Sequence, residues 1–331
     1  QNIVAVCQKD SQISKLIKSP LVGITKTNII NIFYRAYQLS SYIKKENIRI
    51  IHVSWTKDLL LSALVKLFSG NKISIIYHRQ MKITRYKKDI YHNFIYKSIN
   101  IVLVITKALS EDCKKFLPID NDRIIKLSYG IALPDNKNTF DKKLLFDEIE
   151  LQENIFTIGV FSRIEEQKGQ HLIIEALNIL HEKNIQLLIV GHCMDISYQN
   201  DLRKMIEKYN MHDRVAFKPF IESPMKIMPM LDLIILPTYE ETFGLVVAES
   251  MLMGTPVIGS NAGGVPEIIN DNNNGLLFES RNSKSLSKKI LSIYESEELR
   301  IKLSNNAKIF ASEEYNYEKH FSKLTTILQK L

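Results

Sequence analysis

The chain has 331 residues, 45% of them hydrophobic and 24% charged, which is the make-up of an ordinary globular protein long enough for two domains. That composition excludes an intrinsically disordered, collagen-like or disulfide-scaffold chain, and no apolar run approaches the roughly 18 residues of a membrane span. The net charge is +8, split unevenly: residues 1–135 carry 22 Lys/Arg against 9 Asp/Glu, residues 136–331 carry 22 against 27.

Taken in chain order, strands alternate with helices. Ile3–Cys7 reads as a short strand followed by a turn at Asp10-Ser11, and Ile29–Lys45 has helical periodicity. Ile48–Val53 is a β-branched run and Leu59–Phe68 a helix. Ile73–Tyr77, Ile101–Ile105 and Ile124–Leu127 are further apolar strands. Near-continuous Ile/Val strands between helices argue for a parallel sheet covered on both faces. Pro134–Asn154 is polar and shows no strand, so it reads as a linker. The rhythm resumes with strands at Phe156–Phe161, Gln186–Val190, Val215–Phe217, Leu233–Leu236 and Pro256–Ile258. Helices are expected at Lys168–His181, with Leu172, Ile173, Ala176, Leu177 and Leu180 on one face, and at Phe243–Met253, stopped by Gly254. Two such units place a ligand in the crevice at the carboxyl ends of their strands.

Cys7, Cys113 and Cys193 are far apart, which suits a reducing compartment without disulfides or a cysteine zinc site. Gln1–Asp10 has no basic segment ahead of its apolar stretch, so no secretory leader is read there. Asp120-Asn121-Asp122 has a D-x-D spacing but reads as a turn, and no H-E-x-x-H, P-loop or G-x-G-x-x-G occurs. No metal and no resident cofactor is expected.

The segment Leu236–Glu267 carries the chemistry. A strand ends at Leu236, Glu241 stands just before a helix, Gly244 permits close backbone approach, and Glu249 follows two turns in. Free amides at that helix start suit an anion, and an ionised glutamate accepts hydrogen bonds from hydroxyls. Arg163 and Lys168 follow the strand Phe156–Phe161, where a guanidinium fork and a point charge suit a diphosphate. In the first half, His78 and His52 each end a strand.

These segments together resemble the retaining glycosyltransferases of family 4, the group 1 glycosyl transferases. The resemblance rests on Gly159, Arg163, Lys168-Gly169, Pro237, Glu241-Thr242-Phe243-Gly244-Leu245, Glu249, Gly254-Thr255-Pro256-Val257 and Gly263-Gly264-Val265-Pro266-Glu267. It is close over residues 155–280 and looser over 48–133. It implies the GT-B fold, with two doubly wound Rossmann-like domains facing a central cleft. The expected division is an acceptor-side domain at 1–135, a linker at 136–154, a nucleotide-sugar domain at 155–312, and a terminal helix at 313–331 packing back on the first domain. The chain opens on what resembles the family's second strand, so the first is expected to be missing.

By the same resemblance, Arg163 and Lys168 hold the donor diphosphate, Glu241 the sugar hydroxyls, Thr242, Phe243, Gly244 and Leu245 the donor backbone contacts, and Glu249 the ribose. Ile221 closes the stretch that meets the base, where Pro219 replaces the usual glycine. His78 faces the donor sugar across the cleft. The implied reaction moves a sugar from a nucleotide diphosphate sugar to a glycan acceptor. An epimerase of the same architecture and an inactive nucleotide-sugar binder are the rival readings. Arg79, Lys82, Arg85, Lys87 and Lys88, interleaved with Met81, Ile83 and Tyr86, are expected to meet an anionic, lipid-linked acceptor or the membrane surface rather than nucleic acid. The expected location is the cytoplasm, peripheral on the inner face of the membrane.

Overall fold

The computed structural model describes residues 3–8, 14–15, 21–24, 30–134, 141–148 and 150–331. The expected turn at Asp10-Ser11 and the start of the first helix at Ile29 lie outside the described residues. Strands β1 (Ala5–Gln8) and β2 (Leu21–Ile24) pair in parallel as a separate two-stranded sheet. Strands β3 (Ile50–Val53), β4 (Ser74–Arg79), β5 (Ile101–Val104) and β6 (Ile124–Lys126) form a parallel four-stranded sheet in sequential order.

The second sheet has six parallel strands: β7 (Phe156–Phe161), β8 (Ile185–Val190), β9 (Val215–Lys218), β10 (Leu233–Leu236), β11 (Val257–Ser260) and β12 (Leu276–Phe278). Their spatial order is β12-β11-β10-β7-β8-β9. The chain winds outward from β7 in one direction, then returns to β10 and winds the other way. That reversal opens a crevice between the carboxyl ends of β7 and β10, the place where such sheets bind ligands. Every residue of β8 is buried, as a strand covered on both faces must be. Gln186, inside it, is satisfied by the Gln152 carbonyl at 2.6 Å and the Thr157 hydroxyl at 2.8 Å.

Two helix starts differ from the sequence reading for local reasons, and the linker is not without structure. The helix expected from Lys168 begins at Gln170, because Gly169 takes φ +70 and separates it from a 3₁₀ turn at Glu166–Lys168. The helix expected from Phe243 begins at Leu245, after Gly244 at φ +95. The linker holds a helix, Lys142–Glu148, whose Phe146 is buried in the main core.

The chain crosses between the lobes twice, and the crossings run side by side: Ile131 N donates to Tyr315 O at 2.9 Å. Beyond the second crossing, helix Tyr317–Gln329 lays Leu324, Ile327 and Leu328 on Ile76, Leu103 and Leu127 of the four-stranded sheet. Among the described residues no helix is long and apolar enough to cross a membrane.

Candidate active site

The loop Pro237–Gly244 leaves β10 at the crevice and is fixed from three sides. Thr238 Oγ1 donates to Glu240 O at 3.0 Å, Ser260 Oγ donates to Thr238 O at 2.6 Å, and Tyr239 N donates to Gln167 O at 2.9 Å. Gly263 and Gly264 press against it from behind. A Cβ on Gly263, at φ +59, would lie 2.1 Å from Glu241 O, and one on Gly264 would lie 2.2 Å from Thr242 O. The Gly264 amide donates to Glu241 O at 2.7 Å. Only glycine lets a second backbone approach the loop this closely.

Glu241 and Lys168, assigned separate tasks from the sequence, form an ion pair: Lys168 Nζ donates to Glu241 Oε2 at 2.9 Å, and both side chains are largely buried. The other carboxylate oxygen accepts from Thr242 N at 3.2 Å. Arg163 stands after β7, exposed, with Nη2 2.9 Å from Glu165 Oε1. Glu249 is partly buried on helix Leu245–Met253. Burial pushes its carboxyl up to about 7, and among the described residues no cation or donor reaches it. Such a carboxylate gains from hydroxyl donors supplied by a ligand. Phe243 is buried, edge-on to Tyr129 at 5.0 Å and to Tyr315 at 5.5 Å, while Leu245 stays exposed. Ile221 packs on the main core. Beside it, exposed Phe220 stacks on His192 with ring centroids 5.1 Å apart.

On the other lobe, β4 runs two residues further than its apolar run and carries His78 and Arg79 into the interior. His78 is 9% exposed, stacked on His52 at 5.7 Å, and its Nε2 has no partner. Burial first, then His52 and His320, bring it down to about 4, so it is a neutral imidazole near pH 7.

The basic run after it divides. Arg79 is also 9% exposed and donates to Thr56 Oγ1, Tyr77 Oη and Lys82 O, so it is withdrawn from any anionic surface. Lys82 is taken by Glu240 of the Pro237–Gly244 loop, with Nζ to Oε1 at 2.5 Å. Ile83 is buried in the core and gives no surface contact. Arg85 and Lys88 remain exposed, and Lys87 half-buried.

Glu267 makes a crossing that the motif alone does not suggest. Its carboxylate accepts from Lys107 N at 2.6 Å and Ala108 N at 2.7 Å, capping helix Lys107–Phe116 of the opposite lobe. A cavity of about 210 Å³ lies at this seam, lined by Thr106, Lys107, Ser128, Phe243, Glu267 and Tyr315 among others. It falls below the roughly 300–1,000 Å³ of typical ligand pockets, so a nucleotide sugar needs the open crevice.

Comparison with known proteins agrees with this architecture. The chain is 24% identical over 301 residues to N-acetyl-alpha-D-glucosaminyl L-malate synthase of Bacillus anthracis, covering 88% of this chain and 77% of that one. It is 27% identical over 224 residues to an uncharacterised glycosyltransferase of Methanocaldococcus jannaschii, 66% of this chain and 62% of that one. A glycosyltransferase from Rickettsia africae superposes with a TM-score of 0.87 at 20% identity, over 99% of this chain and 89% of that one. HepE of Anabaena, solved with UDP-glucose, superposes with a TM-score of 0.84 at 20% identity, over 99% and 92%. The fold is GT-B, and none of these four proteins bears the name of an epimerase. The profile of the glycosyl transferases group 1 matches residues 141–310, just over half of the chain, and the chain belongs to that family.

Proposed function

We propose that this protein transfers a sugar from a nucleoside diphosphate sugar to an anionic acceptor, with retention of anomeric configuration. The observation that carries the reading is the Lys168–Glu241 pair, held at the crevice by Gly263 and Gly264 with Glu249 beyond it. A diphosphate competes for Lys168 and Arg163, and this frees Glu241 to accept from sugar hydroxyls. Glu249 takes the ribose. Neutral His78 bonds the sugar from the acceptor lobe, and retention follows from the family resemblance. The division into an acceptor lobe at 1–135 and a donor lobe at 155–312 belongs to the same proposal, as does the absence of a metal or resident cofactor. HepE, solved with UDP-glucose, supports the donor class. The Bacillus anthracis relative carries L-malate, a dicarboxylate, in its name, which supports an anionic acceptor.

The acceptor proposed is a lipid-linked intermediate of cell-surface polysaccharide synthesis, met at the inner face of the cytoplasmic membrane. Exposed Tyr86, Ile90, Tyr91 and Phe94 stand among exposed Arg85, Lys88 and Lys97, the mixture that suits an anionic interface. The donor is tested by thermal shift with UDP, GDP, ADP and their sugars, followed by nucleotide release and the product anomer by NMR. No shift with any of them ends the donor reading. Vesicle co-sedimentation at low salt tests the surface: the parent is expected to bind anionic and not neutral vesicles, and Arg85, Lys88 and Lys97 changed to Ser should abolish this.

A further inference from the structure

Lys82 and Glu240 belong to different lobes. Lys82 lies in the loop after β4, and Glu240 lies in the loop after β10, beside Glu241. Their side chains meet across the crevice at 2.5 Å. Both bases are held. Arg79 Nη2 donates to Lys82 O at 2.8 Å, while its Nη1 donates to Thr56 Oγ1 at 2.7 Å and Tyr77 Oη at 2.8 Å. A guanidinium keeps its charge when buried, yet no carboxylate among the described residues pairs with this one. Its bonds instead fix a backbone carbonyl. On the other side, Thr238 Oγ1 holds Glu240 O, and the next residue, Glu241, is held by Lys168 and Gly264. An unbroken line of contacts therefore runs from the end of β4 to the Glu241 carboxylate.

We propose that Lys82 and Glu240 are positioning residues, an ion-pair clasp that sets lobe separation and the placing of Glu241 against the acceptor lobe, with Arg79 holding its base. The proposal rests on the reading of Glu241 as a sugar contact. Side-chain exposures of 56% and 60% make the pair a poor contributor to fold stability. It acts on the balance between closed and open lobes, where such a pair shifts populations by up to about fivefold. Other polar crossings, Glu267 on two amides and Ser128 Oγ on Glu314 Oε1, do not depend on these side chains.

The test is a charge-exchange set: K82E, E240K, the double K82E/E240K, and K82R. Amide hydrogen exchange over residues 80–88 and 237–244 is read in the free protein, with melting temperature alongside. UDP-glucose is the probe for donor turnover. Each reversal is expected to speed exchange in both loops about three- to fivefold and to lower kcat more than it raises KM, at nearly unchanged melting temperature. The double variant and K82R should return exchange to within about twofold of the parent. Opening by 0.5 M salt should mimic the single reversals, because the pair is exposed. A double variant no better than the singles overturns the clasp, as do singles that exchange like the parent. Rescue of exchange without turnover of any nucleotide sugar leaves the clasp standing and removes the transferase reading instead.

Discussion

Glu249 and Lys168 are proposed to meet the ribose and the diphosphate of a bound nucleotide, and each makes a prediction. Glu249 is raised from 4.5 to about 7 by burial. Between those values the folded chain keeps a proton that the unfolded chain releases, so this group's contribution to stability is lost as pH rises. Glu249→Gln should therefore gain on the parent by up to about 3 kcal/mol at pH 8 and by nothing at pH 4, read by urea unfolding at both. Hydroxyl donors favour the carboxylate, so UDP binding near pH 6.5 should release a proton, which calorimetry in two buffers detects and the Gln variant abolishes. Lys168→Ala should weaken UDP by roughly 1.5–3 kcal/mol while leaving uridine little changed. Equal losses for the two would take Lys168 out of the phosphate site. His78 runs with the opposite sign: lowered from 6.5 to about 4, it withdraws stability as pH falls through that window, and His78→Asn should flatten the acid limb of the stability curve.

At the level of elements, the Pro237–Gly244 loop owes its shape to a second segment pressed against it. Gly263→Ala must move Glu241, because its Cβ would sit 2.1 Å from a carbonyl oxygen at a left-handed φ of +59. The expected outcome is at least a tenfold fall in kcat together with a lower melting temperature. Gly70→Ala is the control: its φ is +73 but nothing lies within 4 Å, so only backbone strain of about 1 kcal/mol applies and turnover should be unaffected. Helix Lys107–Phe116 depends in turn on the opposite lobe. Glu267→Ala leaves two amides of its first turn without their acceptor and should cost about 0.5–2 kcal/mol, visible as faster amide exchange at Lys107 and Ala108. If those two amides exchange as in the parent, the cap is not holding that helix end.

Among the described residues the four-stranded and six-stranded parallel sheets are joined by two adjacent crossings, with apolar packing of Phe243, Tyr129 and Tyr315 at the seam. The seam void of about 210 Å³ is too small for a nucleotide sugar, so donor binding must be read at the crevice and through lobe closure. A donor at 100 times its dissociation constant should stabilise the folded chain by about 2.7 kcal/mol, and solution scattering should report a smaller radius of gyration on adding it. Stabilisation with no change in dimensions would remove lobe closure from donor binding.

Local physics made the strands legible, because an Ile/Val run flanked by turns needs only its own neighbours to declare itself; Phe156–Phe161 and Leu233–Leu236 agree with the structure to the residue. The Pro237–Gly244 loop was legible as a pattern for the same reason, since a glycine turn and a helix start are local. The pairings were not. Lys168 finds Glu241 73 residues on, Lys82 finds Glu240 158 on, and the Lys107 amide finds Glu267 160 on. The first needs β7 and β10 set side by side in one sheet, and the other two need both sheets built and brought face to face before the atoms meet. Arg79 illustrates the limit most sharply. Along the chain it heads a basic run and reads as surface. In space it is the last residue of a strand buried on both faces, so the strand's length, decided by pairing with β5, carries its charge inside. Sequence determined which segments could form a site; the depth of β4, the partner of each charge and the distance between the lobes were decided only when the sheets packed together.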